Sequence, residues 1–397
     1  MILIDFLSNG ITGLDWPTGL LLTALSCHIT LLGVTVYLHR CECHLALTLH
    51  PAVKYFFRFW LWLTTAMSTR AWVAIHRKHH ARVETQDDPH SPFVYGIRVV
   101  LLQGAELYRK EAKNQETLNE YGHNTPDDWL ERNIFYGKRN RYGIFILLGL
   151  YILIFGAKGV TFWALQMMCI PFLAAGVING LGHYFGYRNF NTPDGSTNIV
   201  PLAWIICGEE LHNNHHAYPS SAKFSLNWWE FDLGWLYIQA LQFIGLAKIK
   251  KTVPRVMFDY SKLTLDTQAL KAVFNARMHV VANYIQTVIK PLLSHAESQA
   301  THEDKIKLRA LKKQLMARDI FSKKIELDSL LVRYPRLSLV WQFKQQLDAI
   351  WNSKFENQER LLVAMGDWCT SAEKSNVPEL KGFVRMLCAY QVEAHWK

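Results

Sequence analysis

The chain has 397 residues, half of them hydrophobic, with 14 Trp, 16 Tyr and 21 Phe, a length that suits two domains. Its net charge of +10 is uneven: residues 251–397 hold 23 Lys+Arg against 15 Asp+Glu, and the long apolar runs all lie before them. Seven scattered cysteines without a Cys-x-x-Cys pair exclude a disulfide framework, a zinc ribbon and an iron–sulfur site, and point to a reducing compartment.

In chain order, the N-terminus carries no Lys or Arg before its first apolar run, so it lacks the charged start of a secretory signal. Residues 19–38, "GLLLTALSCHITLLGVTVYL", are uncharged and long enough to cross a bilayer, which takes roughly 20 apolar residues. His28 lies inside that run and reads as a packed or hydrogen-bonded residue. "HRCECH" follows directly, with His39 and His44. Residues 55–72 are bounded and interrupted by Arg58 and Arg70. They read as an interfacial helix anchored by Trp60, Trp62 and Trp72. "HRKHH" then gives His76, His79 and His80, which share one helical face at i, i+3 and i+4. "YGIFILLGLYILIFGA" (142–157) and the apolar run 160–182 are separated only by Lys158 and Gly159, and read as a membrane hairpin. "NGLGH" closes it with Asn179 and His183, and "HNNHH" adds His212, His215 and His216.

Basic residues recur between 39 and 141 and are absent before 39. The positive-inside rule therefore puts the N-terminus outside and every histidine cluster on the cytoplasmic side. The expected fold is an all-α integral membrane protein. It has three transmembrane helices, or four if 55–72 also crosses, an interfacial helix, a cytoplasmic helical cap carrying the histidines, and a soluble helical C-terminal tail. The domains expected are 1–250 in the membrane and 251–397 as a basic tail of unknown role. In the tail, "DKIKLRALKKQLMARDIF" and "LVWQFKQQLDAIW" repeat apolar residues at helical spacing.

Nine of the 17 histidines thus fall at span ends and on one side of the membrane. Neutral imidazole ligates iron, zinc, copper and nickel. Nine are too many for one ion, so two ions with four or five nitrogens each is the natural count. Three histidines on one helical face repel when protonated, which is a cost that a metal removes. The zinc-protease HExxH is absent, and haem would need axial histidines within facing spans. An all-nitrogen set beside apolar spans suits a dinuclear iron site that activates oxygen.

The ordered boxes HRCECH, HRKHH and HNNHH, with "ETQDDPH", "GHYFGYRNF" and "GEELHNNHH", resemble the integral-membrane fatty acid desaturases, in particular a bacterial-type member of the acyl-CoA Δ9 (stearoyl-CoA-type) group. The likeness runs from about residue 19 to 248. It implies a di-iron centre held by His39, His44, His76, His79, His80, His183, His212, His215 and His216, with Asn179 reaching iron through a water. Glu84, Asp88 and Glu209 match acidic positions that orient imidazoles. Arg109 and Lys110 of "LYRKEAK" match basic residues that meet the phosphates of coenzyme A, and Arg77 is a further headgroup contact. The implied chemistry is O2-dependent removal of two hydrogens from a saturated acyl chain, leaving a cis double bond. The substrate is fatty acyl-CoA or an acyl lipid, the setting is the bacterial inner membrane among membrane lipids, and the site opens to the cytoplasm. No haem, ferredoxin or flavin motif occurs in the tail, so electrons come from a separate ferredoxin- or cytochrome-b5-like protein, and no nucleic-acid motif is seen. Two departures stand out. Residues 1–17 are too short for the extra span of many animal relatives, and Cys41 and Cys43 interrupt the first box without an assigned role. The competing readings are a related hydroxylase or acetylenase, a desaturase of phospholipid-linked chains, and a non-catalytic membrane metal-binding protein.

Overall fold

The computed structural model describes residues 2–315, 327–353 and 358–392. The chain divides into two compact units, Met1–Gly186 with Asp194–Val253, and Tyr187–Pro193 with Pro254–Lys397.

In the first unit two helices are long and apolar enough to cross a membrane, α1 (Trp16–Cys43, 28 residues) and α6 (Lys158–Leu181, 24 residues). Asp15 caps α1 by accepting the amide of Thr18 at 3.0 Å, with Pro17 in the first turn. Both helices change winding before they end. α1 opens into wide π turns from Gly33, and α6 does so from Pro171, whose missing N–H cannot continue the α ladder.

Between them lie α2 (Pro51–Thr65), α3 (Thr69–Arg82), α4 (Ile97–Glu111) and α5 (Tyr142–Phe155). The segment expected as one interfacial helix over 55–72 is instead two helices. Ala66 takes the left-handed conformation at φ 56°, and Ser68 starts α3 by accepting the amide of Ala71. The three tryptophans each make contacts within the protein. Trp60 donates to Thr30, Trp62 is buried against Phe135, and Trp72 stacks flat on His76 at 4.9 Å. Arg58 ends up inside, bidentate to Asp128 at 2.6 and 2.7 Å and bonded to Glu131 at 3.1 Å.

The outward arm of the expected hairpin is also shorter than the sequence suggests. α5 has 14 residues and stops at Gly156, whose φ of 64° ends the helix, so by length it falls short of a span. It packs on α6 through Leu147, Tyr151, Phe155 and Phe162. α4 approaches α6 backbone to backbone: a Cβ at Gly104 would lie 2.5 Å from the Ala175 carbonyl, and one at Gly176 would lie 2.7 Å from that of Leu101.

Two small ladders tie the chain together around the ends of α1. β1 (Leu47–Leu49) pairs antiparallel with β4 (Ala247–Ile249), Leu47 opposite Ile249. β2 (Leu202–Ala203) runs parallel to β3 (Phe231–Asp232). α7 (His212–Ala217) and α8 (Leu233–Phe243) complete the unit.

The second unit is a set of helices between Thr267 and Ala389, with β5 (Val256–Phe258) antiparallel to β6 (Tyr390–Val392). Its core is almost wholly apolar, centred on Tyr284, Val340, Trp368, Phe383 and Leu387. The tail helices expected from the sequence correspond to His302–Leu315 and Pro335–Asn352. The rest of the first motif, residues 316–321, lies outside the described residues.

Candidate metal centre

His39 and His44 are five residues apart, which on an α-helix would put them about 140° from each other. In the π winding of α1, the amide of His44 donates to the His39 carbonyl at 3.0 Å, so the two side chains stand one wide turn apart. α3 supplies His76, His79 and His80, His183 follows the end of α6 by two residues, and α7 supplies His212, His215 and His216.

These nine side chains form two groups, in each of which the donor atoms lie within 4.8 Å of one another. The first is His39, His44, His76, His80 and His215. The second is His79, His183, His212 and His216. α3 serves both: His76 and His80, four residues apart, point to the first group and His79 to the second. α7 does the reverse, giving His212 and His216 to the second and His215 to the first. Each helix therefore alternates between the two groups.

Four of the imidazoles are backed by carboxylates. Nδ1 of His39 lies 2.7 Å from Glu209, that of His79 3.0 Å from Asp88, that of His183 3.4 Å from Glu84, and that of His216 3.1 Å from Asp194. A carboxylate accepts the Nδ1 proton, which leaves Nε2 as a bare lone pair aimed inward. Nε2 of His79 and Nε2 of His183 are then 3.2 Å apart with no proton between them. Nε2 of His216 is buried and without a hydrogen-bond partner. Facing lone pairs repel, and this arrangement is stable only around a cation. The donor set fits a metal.

Protonation points the same way. Burial, reinforced by neighbouring imidazoles, holds His44, His76, His80, His212 and His215 well below the ordinary histidine range. Burial also pushes His216 down to about 4, against the pull of Asp194. Asp194 and Asp88 are likewise disfavoured by burial as anions. The charges of His216 and His79 and the bonds to them nevertheless keep both carboxyls well below the usual range. At neutral pH these six imidazoles are thus uncharged, and Asp88 and Asp194 are anions.

The carboxylates are themselves fixed. Asp88 accepts the amides of Glu84 at 2.7 Å and His90 at 3.1 Å. Glu84 sits in the left-handed region and accepts the amide of Gly195, where a Cβ would press on the Glu84 carboxylate and the Phe93 ring. Glu209 also accepts the hydroxyl of Thr35. Asp194 accepts the amide of Ser196 at 2.9 Å, a turn that its "PDGS" sequence favours.

Arg40, inside the first box, is wholly buried. It is bidentate to Asp232 at 3.0 Å, donates to the carbonyls of Ala222 and Cys207, and covers the Phe224 ring at 3.8 Å. That ring in turn touches His39 and His215. Arg40 so ties the first box to the third. The third box is held from its other side by a reciprocal amide pair, Asn214 with Asn198, the side chain of Asn214 also donating to Glu230. Asp194, Arg40 with Asp232, Asn198 and His90, which stacks on His79, have no role in the sequence expectation.

Other expected positions fall elsewhere. Arg77 is not turned to a headgroup: its guanidinium makes five hydrogen bonds to the carbonyls of Glu42, Cys43, Tyr121 and His123. Arg109 is exposed and pairs with Glu106 at 3.4 Å, and Lys110 is exposed. Asn179 is half-buried on α6, four residues before His183. His28 bonds to the Tyr237 hydroxyl at 3.1 Å.

A model of the fatty acid desaturase family matches residues 14–244, more than half of the chain. The chain belongs to the fatty acid desaturase family. Among similar proteins is an icosanoyl-CoA 5-desaturase of Limnanthes douglasii, 32% identical over 54% of this chain and 60% of the relative. A Delta-9 acyl-lipid desaturase of Arabidopsis thaliana is 31% identical over 54% of this chain and 69% of its own. An sn-1 stearoyl-lipid 9-desaturase of Anabaena variabilis is 30% identical over 54% and 77%. The chain thus spans about 60–77% of these desaturases. Residues 267–395 match a transposase model instead.

Proposed function

We propose that the protein is a membrane acyl desaturase that uses O2 and two irons to convert a saturated long-chain acyl group, carried by coenzyme A, to its cis Δ9 monoene. The overall change is R–CH2–CH2–R′ + O2 + 2 e⁻ + 2 H⁺ → R–CH=CH–R′ + 2 H2O. The observation that carries the reading is the division of nine histidines into groups of five and four, with lone pairs inward and carboxylates behind.

Two irons bound there would supply the oxidant that takes the two hydrogens. The chain does the rest. His39, His44, His76, His80 and His215 would hold one ion and His79, His183, His212 and His216 the other, with Asn179 approaching through a water. Glu84, Asp88, Asp194 and Glu209 keep each Nδ1 protonated and each ring aimed. Burial of the imidazoles keeps bulk water from the reacting centre. α1 and α6 cross the membrane, and the site opens on the cytoplasmic face of a bacterial inner membrane, where a separate ferredoxin- or cytochrome-b5-like protein delivers electrons.

A second reading, an acyl chain carried by a membrane lipid, is favoured by two observations. Relatives of both kinds are similar to the chain, and Arg77, expected at the headgroup, is engaged by backbone. Expression in a desaturase-deficient host with double-bond location in the fatty acid methyl esters tests the activity. Isotope-labelled acyl-CoA and labelled phospholipid, supplied in parallel to membranes with reductant, separate the carriers. Label in the monoene from phospholipid alone would remove the coenzyme A reading, and a hydroxylated product would remove desaturation.

A further inference from the structure

α8 follows the third histidine box and carries no charge from Leu233 to Ala247. One face is packed: Ile238 is fully buried in the cluster that contains Leu31 and Val34 of α1. The opposite face is bare. Leu236, Ala240 and Phe243, at i, i+4 and i+7, form an apolar stripe, with Phe243 91% exposed and Ile244 continuing it.

The level of this helix follows from one contact. The Tyr237 hydroxyl lies 3.1 Å from Nε2 of His28, and the two rings touch. His28 is the thirteenth residue of α1, about 18 Å from its start at 1.5 Å per residue, well inside a hydrocarbon layer of about 30 Å. Between its start and this level, the flank of α1 exposes Leu20, Leu21, Leu22 and Leu25. Beyond the stripe, the charge pattern changes at once: Lys248, Lys250 and Lys251 are exposed.

We propose that α8 is embedded in the bilayer without crossing it, lying in the leaflet on the histidine side. Leu236, Ala240 and Phe243 rest against lipid acyl chains, and Lys248, Lys250 and Lys251 stand at anionic headgroups. An uncharged stripe at the depth of His28 matches hydrocarbon, and the basic residues that follow match its charged boundary. The inference rests on the membrane reading of α1 given above.

The test uses the full chain in vesicles of phosphatidylethanolamine and phosphatidylglycerol, with a photoreactive benzoylphenylalanine at Phe243 and, separately, at Leu236. The same group at Leu21, on α1, reports whether that helix is in lipid, and at exposed Glu120 it reports water. After irradiation, mass spectrometry should find phospholipid adducts at Phe243, Leu236 and Leu21, and none at Glu120. Lipid adducts at Leu21 with none at Phe243 and Leu236 would overturn the placement of α8 alone. Cross-links from Phe243 to a second copy of the chain would do the same, and would mark the stripe as an interface between copies. No adduct at any position would overturn the membrane reading and this inference with it.

Discussion

The two units of the chain are both helical, yet their interiors differ. The second is built around Tyr284, Val340, Trp368, Phe383 and Leu387, and its stability comes from removing apolar surface from water. The first buries seven of its nine clustered histidines, three of their carboxylate partners and the Arg40–Asp232 pair. Burying such groups costs free energy unless each finds a partner. The contrast teaches where chemistry sits: an interior that works against its own stability is arranged for something to be bound there, whereas an apolar core needs nothing more.

The largest effect that could break this contrast is the loss of an imidazole from the candidate metal centre. His79→Ala should reduce monoene to background and empty the four-histidine group, as read by metal analysis of the purified protein. A variant that keeps full metal and activity would show that the clustered imidazoles are only a polar core. Arg40→Met comes next, since it strands Asp232 as a buried charge and should cost about 3–5 kcal/mol in unfolding experiments. The double variant Arg40→Met with Asp232→Leu should recover much of that loss if the pair acts only to hold the boxes together.

Leu387→Ala probes the other interior and should cost about 2–5 kcal/mol, seen as faster hydrogen exchange in 378–389. Its core shares no residue with the histidine unit, so metal content and monoene yield should not change. Asp194→Asn should weaken metal retention or activity by about 10–100-fold, because the His216 ring loses its anion but keeps its place. The smallest effect is one of acid. Burial pushes His279 of the second unit down to about 4, below its ordinary value near 6.5. Between those values the unfolded chain takes up a proton that the folded one refuses. Its contribution to stability is therefore complete above about pH 6.5 and declines as pH falls towards 4. At pH 5.5 the helix around His279 should exchange about tenfold faster than at pH 7.5, after correction for intrinsic rates, and His279→Gln should remove the difference.

Much of the site is legible in the sequence because histidines at helical spacing are rare and their chemistry is distinctive. "HRKHH" places three imidazoles on α3 without further information, and the nine histidines come together as two groups. The partners are less legible where they lie far along the chain. Asp88 and Glu209 stand close to the boxes, but Asp194 meets His216 from a turn 22 residues earlier, with only the "PDGS" turn signal to mark it. Arg77 misleads because an arginine inside a box looks free to meet a phosphate, and only the fold shows four backbone carbonyls closing around it. Hydropathy finds α1 and α6 but overstates α5, since it measures greasiness and not where Gly156 ends the helix. It likewise misses the break at Ala66, because alanine carries no turn signal.

The wide winding of α1 gives the first box an unusual tolerance profile. Five residues per step from His39 to His44 is a register that an ordinary helix cannot present on one side, so the count between the two matters more than the letters in it. Deleting Cys41 would shorten the step to four residues and remove the wide turn, moving His44 off the place it holds among its partners, whereas exchanging Cys41 for another small apolar residue would leave the count intact. Length, in this stretch, is the quantity that the geometry demands.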